Sequence, residues 1–214
     1  MIKAVIFDFG AVLVKEEKTY EEIAKKLKVT KKKATDITSP LFKKWSCGKI
    51  NEEKFWQRLE EKLERKAPSD LKNNLWLNKY LKRTRDIKGS WKILNKLWKN
   101  KVRLALLSNI IPPRIRVNQK LGKFKRLKDL GFEAIILSCE VGFRKPDPKI
   151  YKIVLKKLNL SASSCLFVDD KLANIKAARK LGMKAIRFQS PAKLRKDLFK
   201  IGLLYKSKKD FKRK

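Results

Sequence analysis

Histidine is absent from all 214 residues of the chain. That absence removes histidine-based triads and histidine metal sites, and it leaves acid and base work to carboxylates, lysines or water. Cysteine is scarce: Cys47, Cys139 and Cys165 are odd in number and show no C-x-x-C spacing, so neither a disulfide framework nor a zinc site is expected. Cys165 opens a strand-like run and reads as a buried thiol. No run approaches the roughly 18–20 apolar residues of a membrane span, and the first residues enter a strand pattern instead of a signal peptide. A soluble, cytoplasmic protein with no membrane contact is the expectation.

Acidic residues are also few, 21 against 57 lysines and arginines, which gives a formal charge of +36. A field of that sign attracts polyanions, so a weak association with nucleic acid or another polyanion through the basic surface is one expectation. The lysines occur in nearly every segment, however, and are not gathered into one stripe, which fits helix faces solvated all round. The densest run, Lys206 to Lys214, reads as a basic C-terminal tail.

What the chain does have is a set of short apolar runs that each end in polar residues. Ala4 to Phe7 leads into Asp8, Val102 to Leu107 into Ser108 and Asn109, Ala134 to Leu137 toward Lys145, and Cys165 to Val168 into Asp169 and Asp170. Strands alternating with helices argue a doubly wound, Rossmann-like α/β fold with a parallel sheet. In such sheets, polar groups just beyond the carboxyl ends of the strands converge on one crevice where ligands bind. Four scattered segments thereby become one candidate site.

Between the first two of these segments the pattern turns helical, with no strand-like run from Lys15 to about Arg85. Thr19 and Glu22 have the spacing of a capping box, opening a helix through Leu27. Asn51, Glu52 and Glu53 look like another helix start, followed by an apolar stripe at Phe55, Leu59 and Leu63. Trp45, Trp56 and Trp76 read as the core of this stretch in preference to substrate contacts. Beyond it come a helix through Trp91, Leu94, Leu97 and Trp98, and a less regular segment from Ile111 to Lys128. A helix started by Asp147 and Pro148 follows, with an apolar face at Ile150, Tyr151, Val154, Leu155 and Leu158. A helix ending near Gly182 and a last strand-like run at 184–188 complete the pattern. The expected domains are an α/β core of residues 1–14 and 86–205, a helical insert of residues 15–85, and the tail 206–214.

Taken in order, Asp8 in FDFGAVL, Ser108 in LLSN, Lys145 in FRKPDPKIY and the pair Asp169-Asp170 in FVDDKLANIKAARKLGM resemble the four motifs of the haloacid dehalogenase-like superfamily of phosphohydrolases. The interval between the first two is similar to that holding the family's inserted helical cap. The resemblance implies a magnesium-dependent phosphatase for a small phosphorylated metabolite, with Asp8 as the nucleophile that becomes an aspartyl phosphate. Magnesium prefers oxygen ligands; Asp8 and Asp170 can supply carboxylates, and the family pattern adds the backbone carbonyl of Gly10. Asp169 would be a further ligand or a partner behind the ligands. Ser108, Asn109 and Lys145 would bind the transferring phosphoryl group, Asn109 also orienting the Ser108 loop, and Asn174 would hold the metal loop from behind.

Gly10 departs from the family pattern. Many members carry there a second Asp that protonates the leaving oxygen, a contribution of about 10²–10⁴-fold for acid–base catalysis in general. Some phosphatase-type relatives are similar to this chain in having Gly. The substitution favours substrates with good leaving groups, such as anomeric or acyl phosphates, unless a carboxylate such as Glu16 or Glu17 of the insert donates the proton. Two other readings stand beside the phosphatase. One is a catalytically weak scaffold that binds a polyanion. The other is a metal-independent haloacid dehalogenase, against which the paired Asp169 and Asp170 argue.

Overall fold

The computed structural model of the chain describes residues 1–15, 19–74 and 84–205. Its centre is β1 (Ala4–Phe7), whose four residues are all fully buried. A continuous apolar run of this kind suits a strand covered on both faces, the usual setting of a parallel sheet. On one side β1 pairs with β4 (Arg103–Ser108), which pairs with β5 (Phe132–Leu137); on the other it pairs with β6 (Cys165–Asp169), which pairs with β7 (Lys184–Arg187). All four pairings are parallel. The order β5-β4-β1-β6-β7 reverses direction between β1 and β6, and a crevice opens at such a reversal. The doubly wound α/β architecture expected from the pattern is the one found.

Side chains alternate across the sheet with period two, so each strand feeds two cores. Val5, Phe7, Leu104, Leu106, Leu166 and Val168 face one cluster, with Trp91, Leu94 and Leu97 of α5 (Lys88–Lys99) and Leu194 and Leu198 of α11 (Pro191–Lys200). Ala4, Ile6, Ala105, Leu107 and Phe167 face the other, against Ile150, Tyr151, Val154 and Leu158 of α9 (Pro148–Leu158) and Ile175 and Ala178 of α10 (Leu172–Lys180). Each Val, Leu, Ile or Phe among them contributes about 1.5–3 kcal/mol on burial. Sliding β1 by one residue would draw the Asp8 carboxylate into the sheet interior, at the high cost of burying a charge without a partner. Register and site position are thus set by the same residues.

The insert forms its own apolar cluster. Ile23 and Leu27 of α1 (Thr19–Leu27), Leu41 and Trp45 of α2 (Lys31–Trp45), Phe55, Trp56 and Leu59 of α3 (Glu52–Leu63) and Leu71 of α4 (Ser69–Asn74) bury one another, with Leu63 packed at the edge. Asn51 caps α3 as expected, its side chain accepting from the Lys54 amide at 2.8 Å. Ile111 reaches into this cluster from the loop after β4. The Thr19 side chain, Glu16, Glu17, Trp76 and the basic tail lie outside the described residues.

Three features differ from the sequence expectation. Chain entry to and exit from the insert are not purely helical: β2 (Val14–Lys15) and β3 (Arg85–Asp86) form a short antiparallel ribbon. Asp86 is tied to the body by Lys123 at 2.6 Å and Arg126 at 3.0 Å. The segment after Ile111 is regular, made of α6 (Pro112–Lys120) and α7 (Lys123–Asp129). Pro112 and Pro113 occupy the first turn, where a missing amide hydrogen costs nothing, and Gly122 at φ +67° separates the two helices. Finally, α11 continues the fold after β7, started by Ser190, whose side chain accepts from the Lys193 amide at 3.2 Å.

Candidate active site

β1 and β6 flank the point where the strand order reverses, and their ends carry the site. The Asp8 amide donates to Val168 O at 2.8 Å, which extends the ladder by one residue and sets Asp8 beside Asp169. Asp8 Oδ1 accepts from the Phe9 amide at 2.7 Å. The chain then turns sharply, with Ala11 at φ +58° and its amide donating to Val14 O at 2.8 Å. Leu13 O closes the turn by accepting from the Ile87 amide at 2.9 Å and Trp91 Nε1 at 3.0 Å. This folding leaves Asp8, Gly10 and Ala11 on one wall of a small solvent-open cavity, facing Asn109, Lys145, Asp170, Lys171 and Asn174.

Lys145 is 1% exposed, in a chain whose other lysines are mostly solvated. Its ammonium donates to Asp8 Oδ1 at 2.8 Å, Asp169 Oδ2 at 2.8 Å and Leu107 O at 2.6 Å. Three protons thus meet three acceptors, one at the end of each central strand. Burial works against the charged form, but Asp8 and Asp169 outweigh it and hold Lys145 above its ordinary value. The loop carrying Lys145 is fixed by Asn109, which accepts from the Lys145 amide at 2.8 Å and donates to its carbonyl at 2.9 Å. Asn109 therefore orients the Lys145 loop as well as lining the cavity, where the sequence suggested the Ser108 loop. Ser108 ends β4 and is buried, but it is not among the described residues lining the cavity. Ser138, which sequence reasoning passed over, braces the loop beyond it: its hydroxyl accepts from the Ile110 amide at 3.0 Å.

The adjacent aspartates divide their roles. Asp169 is completely buried and fully engaged: Oδ1 accepts from the Lys171 amide at 2.8 Å and Asn174 Nδ2 at 2.9 Å, while Oδ2 accepts from Lys145 and from the same Asn174 nitrogen at 2.9 Å. Asn174 lines the cavity and grips Asp169, where the sequence suggested that it holds the metal loop from behind. Asp170 turns to the cavity, and its buried Oδ1 has no hydrogen-bond partner. Burial, then the charge of Asp169, raises its carboxyl pKa. Burial likewise pushes Asp8 up to about 7, against the pull of Lys145 and with the push of Asp169.

Asp8, Asp169 and Asp170 present oxygens within 4.8 Å of one another. Fully ionised, these three carboxylates would exceed the one buried ammonium by two charges, which is costly in a largely buried space; burial raises the Asp8 and Asp170 carboxyls accordingly, and a cation joining them would offset that cost. The unpartnered Asp170 Oδ1, the Asp8 carboxylate and the Gly10 carbonyl are all hard oxygen donors, and no nitrogen or sulfur ligand competes among the described residues at the cavity. Such a set fits a small divalent cation of the magnesium type.

The haloacid dehalogenase-like hydrolase family model matches residues 2–182. The chain belongs to this family. Among curated relatives, this haloacid dehalogenase-like hydrolase is similar to the sesquiterpene phosphatase astK of Aspergillus oryzae, 28% identical over 196 residues that cover 85% of this chain and 87% of the relative. Flavin mononucleotide hydrolase 1 of Arabidopsis thaliana is 39% identical over 66 residues, covering 31% of this chain and 27% of the relative. The chain thus spans about a quarter of that hydrolase and nearly all of the fungal phosphatase. Among solved structures, a family enzyme of Bacteroides thetaiotaomicron in complex with magnesium and inorganic phosphate superposes with a TM-score of 0.71 at 22% identity, over 89% of this chain and 96% of that one. That likeness establishes the shared fold.

Proposed function

We propose that the protein is a magnesium-dependent phosphatase for a small phosphorylated metabolite. The observation that carries the reading is the cluster of three carboxylates, Asp8, Asp169 and Asp170, around the one buried ammonium of Lys145 at the strand reversal. The resemblance to a sesquiterpene phosphatase over most of both chains supports it, as does a fold shared with an enzyme crystallised with magnesium and phosphate. A hydrolytic dehalogenase displacing halide from carbon has no need of three clustered carboxylates. Chelation by EDTA separates the two chemistries: phosphate release from phosphorylated metabolites should require added magnesium, and EDTA-resistant turnover would sink the phosphatase reading.

In the proposed reaction an Asp8 oxygen attacks phosphorus and the ester oxygen departs with its electron pair, leaving an acyl phosphate on Asp8. Water then attacks that phosphorus, Asp8 leaves as carboxylate, and inorganic phosphate is released; the proton that water gives up balances the one that the departed oxygen takes from solvent to become the alcohol. Magnesium, held by Asp8, Asp170 and the Gly10 carbonyl, would supply positive charge to the phosphoryl oxygens. Lys145 keeps the Asp8 oxygen in place and offsets its repulsion from Asp169. Asn109 holds Lys145, and Asn174 holds Asp169. Ser108 would complete the phosphoryl contacts once substrate occupies the cavity. The helical insert is proposed to act as a cap, joined to the body through Ile111 and the 3.1 Å pair Arg116–Glu52, excluding bulk water and selecting the substrate.

The division between the paired aspartates gives one expected result. Asp170→Ala should weaken magnesium binding more than Asp169→Ala, while costing no more than about 1 kcal/mol of stability, because its Oδ1 gives up no hydrogen bond. Asp169→Ala should cost roughly 2–4 kcal/mol, since Asn174 and the buried Lys145 lose an acceptor. Calorimetric magnesium titration beside thermal unfolding in EDTA decides; equal effects on both readouts would mean that the primary ligand has been misassigned.

A second expectation concerns Gly10. With no carboxyl group at that position, the logarithm of the rate should fall steeply as leaving-group pKa rises. Gly10→Asp should flatten the dependence and raise the rate on alkyl phosphates by up to about 10²–10⁴-fold. A shallow slope in the unmodified protein would transfer the proton donor to another group, with Glu16 or Glu17 the first to replace.

A further inference from the structure

The cavity wall carries two cations among the described residues, and their situations are opposite. Lys145 is buried with every ammonium proton committed to Asp8, Asp169 and Leu107 O. Lys171 is exposed, and its ammonium makes no ion pair or hydrogen bond with any described residue. Its backbone is nevertheless fixed: the Lys171 amide donates to Asp169 Oδ1 at 2.8 Å, and its carbonyl accepts from the amides of Asn174 at 3.0 Å and Ile175 at 3.1 Å. Asp170, one residue earlier, feels the Lys171 charge but makes no direct ion pair with it, and the first turn of α10 adds no acidic residue. An exposed positive charge on a fixed backbone position therefore stands at the rim of a cavity whose floor is acidic.

Size decides what that charge meets. The solvent-open cavity measures about 70 Å³, on the order of a few water molecules, which suits a phosphoryl group and directs the rest of a larger substrate toward the rim. We infer that Lys171 is a specificity-determining residue that binds a second anionic group on the leaving-group side of the substrate, so that the preferred substrate is a phosphomonoester bearing a nearby carboxylate or second phosphate. This rests on the reading of the cavity as a phosphoryl site.

Phosphonoacetate and methylphosphonate share a non-hydrolysable phosphonate and differ in the carboxylate. Their dissociation constants are measured by calorimetry on the full chain with magnesium in excess, for the unmodified protein and for Lys171→Met and Lys171→Arg. The unmodified protein should bind phosphonoacetate about fivefold more tightly, the upper range for a solvent-exposed ion pair. Lys171→Met should erase that preference while changing methylphosphonate affinity less than about twofold, and Lys171→Arg should keep it. Absence of the preference in the unmodified protein, its survival in Lys171→Met, equal weakening of both probes, or failure of either probe to bind overturns the inference. Hydrolysis of phosphorylated metabolites, followed in the same preparations, keeps the two readings apart. A preference without magnesium-dependent hydrolysis defeats the phosphatase and leaves the anion site, whereas hydrolysis without a preference defeats the anion site alone.

Discussion

Asp8→Asn is expected to abolish phosphate release, with a loss of at least about 10³-fold, the scale seen when a nucleophile is removed. The amide is a poor nucleophile and a poor ligand for a hard cation, so the substitution strikes both proposed roles at once. It should leave the fold intact. The new side chain has the same shape and retains an oxygen for the Phe9 amide and Lys145, and the loss of a buried charge relieves repulsion from Asp169. Turnover is to be measured on whichever phosphorylated metabolite the unmodified protein hydrolyses best, with thermal unfolding alongside. A variant that unfolds normally yet keeps more than a few per cent of turnover would remove Asp8 from the reaction.

Lys145→Met should show its largest effect on stability. The ammonium is the one described cation touching both Asp8 and Asp169, and Asp169 has no exposure through which water might take over. Removing one member of a buried ionic group while leaving the others charged costs about 3–5 kcal/mol, which for a chain of this size corresponds to a fall in Tm of roughly 6–20 °C. Because the deficit is one of positive charge, magnesium should raise the Tm of the variant more than that of the unmodified protein. A loss below about 1 kcal/mol in EDTA would mean that the carboxylates protonate at little cost, and the charge argument for a bound cation would weaken with it.

The parts of this molecule that were legible in sequence are those where one local signal coincides with a tertiary demand. Ala4 to Phe7, Leu104 to Leu107 and Leu166 to Val168 are apolar without alternation because both faces of their strands are covered, and each stops where polar residues reach the crevice. Asn51 and Asp147 announce helices through their own side chains. The β2–β3 ribbon was not visible because two-residue strands carry no period, and their partners lie on either side of the whole insert. Helices α6 and α7 are too short for an apolar stripe to repeat clearly, although Pro112 and Pro113 in a first turn were a readable sign. α11 carried an equally readable start in Ser190 and Pro191.

Roles inside the site divide in the same way. Chain order was enough to bring Asp8, Lys145, Asp169 and Asp170 together. It was not enough to show that Asn109 grips the Lys145 backbone, that Asp169 faces inward while Asp170 faces the cavity, or that Ser138 braces the loop after β4. Those are consequences of side-chain direction, which neighbours in sequence do not fix. Lys171 carried no signal at all among so many lysines; only its place on the cavity wall distinguishes it.

The three hydrogen bonds that Lys145 donates to Asp8, Asp169 and Leu107 O also bear on biosynthesis. Its partners end strands that leave the ribosome in the order β1, β4 and β6, with β6 following the Lys145 loop. At about 5–20 residues per second, Asp8 is translated on the order of ten seconds before Asp169. Until β6 docks beside β1, a nascent chain lacks the carboxylate that completes the charge set around Lys145, and Asn174 has nothing to hold. The proposed hydrolysis therefore cannot precede closure of the sheet, and truncated or stalled chains ending before residue 165 should be inert toward phosphate esters even where their amino-terminal strands have paired.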